Sequence, residues 1–293
     1  MKRYLLGILF AFLGAVGFAS KGIIIKLAYR LDADWLTVLM FRMLFSVPFY
    51  IAVIVWHHRK NTISLTNEQK LKIVILGLLG YYLSSLLDFM GLEYITATLE
   101  RIVLFVYPTM VVILAAVYHR KKIGNIQKLA ILISYLGILV ALGSDFGIQK
   151  DVLKGSLLVF SAAFTFACYL VFSEKLIAQI GASLYTAYIM TTAAVGIFLH
   201  YFLKNGFYIA PLDAQFYELS VLIALFATVF PSFMVSKGIS LIGSGNAAIV
   251  ASVGPVMTIL MAYLFLDEQI GVAQILGTVL VLGGVSLITL SKK

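Results

Sequence analysis

The chain has little charge. Only 12% of its 293 residues are Asp, Glu, Lys or Arg, roughly half the share found in ordinary soluble domains. With 62% hydrophobic residues and a mean hydropathy of +1.03, it lacks the polar surface that a soluble protein of this length needs. Its lone cysteine, Cys168, sits inside an apolar stretch, which excludes a disulfide framework and leaves the redox compartment open. His57, His58, His119 and His200 stand near the ends of apolar runs without metal-ligand spacing, and no phosphate loop, nucleophile elbow or Cys/His cluster occurs. No catalytic group, metal site or cofactor is therefore expected. Long polar linkers and low-complexity tracts are also missing, so no separate soluble domain is expected. The net charge of +9 is not gathered into a basic stripe, which argues against a nucleic-acid partner.

What the chain does have is a series of apolar runs of about 20 residues, the length needed to cross a bilayer as a helix. Ten spans are read, at about 4–29, 34–56, 71–93, 97–118, 124–143, 154–178, 182–203, 216–237, 246–266 and 270–290. The fold class is an all-α membrane protein with ten transmembrane helices and the lipid bilayer as its solvent. Met1-Lys2-Arg3 before apolar residues resembles the start of a cleaved signal peptide. The run continues past Lys21 to about Tyr29, however, and its pattern recurs later in the chain, so a first span is the better reading.

Lys and Arg set the orientation. With the N-terminus inside, 14 of the 22 fall on inner segments, from Lys2 and Arg3 through Arg120, Lys121 and Lys122 to Lys292 and Lys293. Four fall on outer loops: Arg30, Lys150, Lys154 and Lys204. The other four, Lys21, Lys26, Arg42 and Arg101, lie within or at the ends of spans. Both termini are thus expected in the cytoplasm.

The chain repeats itself. Shifted by 147, Gly91 falls on Gly238, Pro108 on Pro255, Met110 on Met257, Gly124 on Gly271, Gln127 on Gln274 and Gly137 on Gly284. At a shift of 148, Leu5, Gly7, Leu9, Phe12, Ala15, Phe18 and Ala19 match Leu153, Gly155, Leu157, Phe160, Ala163, Phe166 and Ala167. Residues 1–145 and 151–293 are read as two copies of a five-span unit. Five is odd, so the second copy enters the membrane from the opposite face. Two inverted five-helix repeats are an architecture of secondary transporters.

On these features the chain resembles the drug/metabolite transporter superfamily, and within it the EamA family of ten-helix inner-membrane carriers. The resemblance rests on Phe41-Arg42, on the two proline-centred helices, and on LFLDEQIGVAQILGTVLVLGG from Leu264 to Gly284, with Glu268 at the usual acidic position. It departs from the family at His119-Arg120-Lys121-Lys122, where a glutamate is common, and at Lys21, where a small polar residue is usual. The resemblance implies export of amino acids or related metabolites.

Charge at membrane depth marks candidate functional residues. Lys21, Arg42, Asp88, Glu100 and Arg101 are each placed within a few turns of an outer helix end, where they could share one polar layer. Their counterparts in the second copy are Tyr169, Met190, Val235, Ala247 and Ala248, all uncharged. Tyr81, Ser84, Ser85 and Asp88 follow i, i+3, i+4, i+7 on one helical face, and Thr228, Ser232 and Ser236 repeat the stripe. Such hydroxyls line a path or tie neighbouring helices together. Tyr107, Tyr169 and Asn246 complete the candidate set, and Pro108 and Pro255 are placed as helix breaks that free a carbonyl.

Lys21 either binds a carboxylate or phosphate or pairs with Asp88 or Glu100 as a gate, and the base argues against cationic drugs. Asp88 is the acid placed deepest in a span and is the candidate for proton coupling. The expected function is alternating-access export of a small-molecule substrate. The alternatives are a carrier of phosphorylated or nucleotide-type anions, and an intramembrane enzyme using Asp88 and Glu100 as paired carboxylates.

Overall fold

The computed structural model describes residues 2–60, 65–118, 120, 122–145, 151–208 and 211–290. The side chains of 2, 144, 145, 236, 243–246, 248, 249, 289 and 290 lie outside that description. Among the expected charges, His119, Lys121, Lys150, Lys292 and Lys293 are outside it.

All regular structure among the described residues is helical. The helices are α1 (Lys2–Tyr29), α2 (Trp35–Lys60), α3 (Asn67–Gly77), α4 (Ser84–Leu92), α5 (Ala97–Leu104), α6 (Tyr107–Tyr118) and α7 (Asn125–Asp145). They continue with α8 (Val152–Ile180), α9 (Ala182–Asn205), α10 (Ala214–Ala224), α11 (Phe230–Ala251), α12 (Val253–Leu266) and α13 (Val272–Leu290). Two stretches of π-helix, Leu78–Leu83 and Leu225–Val229, join α3 to α4 and α10 to α11. Among the described residues, eight helical runs are long and apolar enough to cross a membrane, and Val253–Leu266 and Val272–Ile288 are shorter apolar helices.

Local chemistry explains the punctuation. Thr66 and Gln69 form a reciprocal capping box that starts α3. Gly181, at a φ of 89°, turns α8 into α9 with a conformation that a side chain would resist. Leu5, Trp56, Leu139, Leu203 and Phe265 are exposed around the bundle, as a lipid-facing surface requires.

One expected boundary differs. The eighth and ninth spans were read as 216–237 and 246–266, but α11 runs on through Ala251 and breaks at Ser252. Gly238, Gly243 and Gly245 do not interrupt it, because a packed apolar helix tolerates glycine. The proline responds differently: Pro255 stands in the first turn of α12, and Pro108 is the second residue of α6. Each occupies the first turn after a break, where its missing N–H costs little.

The closest packing joins the two halves of the chain. α1 lies along α11, α8 along α4 and the first π segment, and α7 along α13. Gly7 leaves no room for a side chain against Leu241 and Ile242, and Gly155 leaves none against Tyr94 and Ile95. Gly91 meets Val159 in the same way, and Gly238 meets Ala11. These named contacts map onto one another under the 147 and 148 shifts.

Candidate functional site

The charged residues gather where α1 crosses α4 and α5. Lys21, in the C-terminal part of α1, sends Nζ to 2.5 Å from Asp88 Oδ2 on α4 and 3.4 Å from Glu100 Oε1 on α5. Glu100 and Arg101 are neighbours in sequence and so leave α5 in different directions. Glu100 packs beside Gly22 of α1. Arg101 donates from Nη2 to Phe18 O, 2.5 Å, and from Nε to Thr258 Oγ1 on α12, 3.1 Å. The Thr258 hydroxyl donates in turn to Ala19 O, 3.0 Å. All four charged groups therefore close around residues 18–22 of α1. Asp88 is 3% exposed and Glu100 0%, and an uncompensated ion at such a position would cost several kcal/mol.

Arg42 forms a second centre, linked to the first through α4. Its Nε donates to Thr228 Oγ1, 2.9 Å, and its Nη1 reaches Ser85 Oγ, 3.4 Å, one turn from Asp88. The guanidinium also lies over the Phe89 ring, 5.4 Å from the centroid, a cation–π arrangement. Thr228 sits in the second π segment and Tyr81 in the first. The two positions correspond under the 147 shift, and π turns inside α-helices are frequent at functional sites.

Of the hydroxyl stripe, Ser84 ties helices together by donating to Ala162 O, 3.0 Å, and Ser232 lies 3.5 Å from the Tyr50 hydroxyl. Tyr81 joins an aromatic cluster instead. Its ring is edge-on to Phe166 and Tyr169, at 6.0 and 5.2 Å, and Tyr107 is edge-on to Phe166 at 5.3 Å. Tyr169 stacks on Tyr185 at 6.3 Å, whose hydroxyl is 2.5 Å from Ser173 Oγ. Tyr81, Tyr107 and Tyr169 are thus brought into one group. Asn246 lies in α11, but its side chain is outside the described residues.

A third element was given no site role from the sequence. α12 ends at Asp267, whose φ of 58° is left-handed, and the Glu268 N–H bonds back to Ala262 O. This turn aims the Glu268 carboxylate at the start of α5. There it accepts from Ala97 N at 2.8 Å, Thr98 N at 3.1 Å and the Thr98 hydroxyl at 2.8 Å. Thr96 caps Leu99 N alongside it. These are amide hydrogens that a helix start leaves unpaired. Arg30, counted as a loop charge, donates from Nη2 to Leu266 O, 2.6 Å. A cavity of about 330 Å³ lies beside this junction, among Lys26, Arg30, Glu93 and Glu268. Partial burial pushes the Glu93 carboxyl up from its ordinary range.

Thr228 belongs to the hydroxyl stripe read from the sequence, whereas Thr258 was given no role there and carries only a faint signal, as a hydroxyl in a strongly apolar helix. Glu268 had a stronger one, since an acid just past a span end can cap another helix. Which helix it caps is a tertiary fact.

Comparison with known proteins fits this architecture. The model of the EamA-like transporter family matches residues 5–143 and again residues 153–290. A Bacillus subtilis (strain 168) protein described as "Uncharacterized transporter YcbK" is 34% identical over 277 residues, covering 92% of this chain and 88% of its own. "Uncharacterized inner membrane transporter YicL" of Salmonella typhimurium is 26% identical, with 98% and 96% covered. A solved crystal structure superposes with a TM-score of 0.67 at 15% identity, covering 99% of both chains; that likeness speaks for the fold alone. The chain is a multi-pass integral membrane protein and belongs to the EamA-like transporter family.

Proposed function

We propose that this transporter is a secondary carrier that exports amino acids or related small metabolites across a bacterial inner membrane. In this reading ten helices form two inverted five-helix repeats that rock around the layer of Lys21, Asp88, Glu100, Arg101 and Arg42. The observation that carries the proposal is that layer: buried groups of both signs, held by residues from both halves of the chain. An α-amino acid carries one charge of each sign and finds complementary groups in it. The exchange of glycine contacts, Gly7 with Gly155 and Gly91 with Gly238, supports the inverted repeat. An inner-membrane relative supports the location.

The anion reading is less favoured, because Asp88 and Glu100 stand beside Lys21 in the layer and would repel a polyanionic phosphate more than a zwitterion. An enzyme is disfavoured too, since Asp88 and Glu100 converge on one ammonium rather than flanking an open site.

Purified protein in liposomes tests the function against a metabolite panel under imposed proton or sodium gradients. Exchange of amino acids is expected. Exchange confined to phosphorylated compounds would favour the anion carrier, and turnover of a substrate in detergent would establish an enzyme. The proposed cytoplasmic termini put Gln269 outside. An impermeant thiol reagent should therefore label Gln269→Cys in intact cells, and labelling only after permeabilisation would reverse the topology.

A further inference from the structure

Two acids and one base meet at the α1–α4–α5 crossing, so one negative charge has no cation of its own. Lys21 lies closest to Asp88, at 2.5 Å, and reaches Glu100 only at 3.4 Å. The remaining bases are turned elsewhere. Arg101, next to Glu100 on α5, is committed to Phe18 O and Thr258 Oγ1, and Arg42 to Thr228 and Ser85. Lys26, further out on α1, lines the cavity with Glu93 and Glu268. From α12 the nearby polar group is the Thr258 hydroxyl, which donates to Ala19 O. Asp88 Oδ1 and both oxygens of Glu100 are buried with no hydrogen-bond donor among the described residues.

A buried carboxylate that has no hydrogen-bond donor and shares its one ammonium with a second acid is not sustained as an ion in a low-dielectric interior. Something must occupy it, and a metal cation suits the place poorly. The Lys21 ammonium, in contact with the same carboxylate, repels a second positive body, and Gly22 already packs against Glu100 Oε2. A proton removes the charge without needing a coordination shell.

The geometry points to Glu100 as a proton-binding site of the carrier, protonated while Lys21 is engaged by Asp88. When the helices rearrange and Lys21 moves onto Glu100, the O–H bond breaks and the proton passes to water. Lys21 stays an ammonium throughout, and Asp88 is left to solvent or to the substrate ammonium. The coupling part of this inference rests on the alternating-access reading above; the site itself does not.

Infrared spectroscopy of the purified protein at neutral pH separates the two. The expected result is the carbonyl stretch of a protonated carboxylic acid, shifted by carboxyl-labelled glutamate, unmoved by labelled aspartate, and absent from Glu100→Gln. No such band in the wild type, a shift on aspartate labelling, or persistence of the band in Glu100→Gln would each overturn the site. If Glu100→Gln does not fold, the wild-type labelling still decides between glutamate and aspartate. In proteoliposomes a pH step should drive accumulation by the wild type and not by Glu100→Gln. Accumulation driven by sodium alone would overturn the coupling. Should no substrate move at all, the transport reading fails while the infrared result still stands.

Discussion

The two halves of the chain place different chemistry at matching positions. In the first half, Lys21, Asp88, Glu100 and Arg101 form a charged layer around one turn of α1. In the second, Tyr169 stands where Lys21 would be and lies in a cluster of rings, while Ala247 replaces Glu100 and packs with Ala11 and Ile242. The backbone treats the halves alike, down to a π segment at the same place in each. The second half contributes hydroxyls rather than charges: Thr228 and Thr258 each accept from the Nε of a first-half arginine. One half thus supplies the ions and the other helps to hold them. The layer therefore depends on both halves keeping their present contact, which is the property a rocking carrier needs.

The largest effect should come from removing the shared cation. Lys21→Met leaves the buried Asp88 carboxylate with no base beside it, and breaking such a pair costs about 3–5 kcal/mol. The matched change in the other half, Tyr169→Phe, removes a single hydroxyl from the ring cluster, worth about 1 kcal/mol. In detergent, Lys21→Met should lower Tm by roughly 10 °C and Tyr169→Phe by a few degrees. Adding Asp88→Asn to Lys21→Met should recover part of the loss, since the pair is coupled. Equal shifts for Lys21→Met and Tyr169→Phe would remove the distinction between the halves.

Much of this contrast was legible in the sequence. Apolar runs gave the helices, and the depth of Lys21, Asp88 and Glu100 put them within reach of one another, without saying which acid the base would meet. The repeat predicted which positions would differ. Glu100 was harder, because four residues from a helix start looked close to the surface, yet α5 begins inside the packed bundle and buries it completely. The π turns at Tyr81 and Thr228 carry no local signal, since they answer to packing between helices. The α11 boundary was misplaced because glycine-rich stretches break helices in water but not in a close-packed apolar setting, whereas Ser252, three residues before Pro255, does mark the break. The cap by Glu268 was out of reach, joining groups 171 residues apart.

That cap gives the smallest and most specific test. Glu268 fastens the end of α12 to the start of α5, and Arg30 fastens the end of α1 to the same α12 terminus. Its counterpart under the 147 shift is Lys121, a base, which would not favour the positive end of a helix. If the halves rock, the end of the bundle carrying Glu268 is latched by a carboxylate, whereas the matching sequence position carries a base. Glu268→Gln keeps the shape of the side chain but removes its charge from the helix start, a loss of about 1 kcal/mol. That is roughly a fivefold shift toward opening on this side. A thiol at Ser85→Cys, in a Cys168→Ser background, reports it: an impermeant reagent on the Gln269 side should label it about five times faster in Glu268→Gln. An unchanged rate would mean that Glu268 only caps a helix and that the two ends of the bundle open with equal ease.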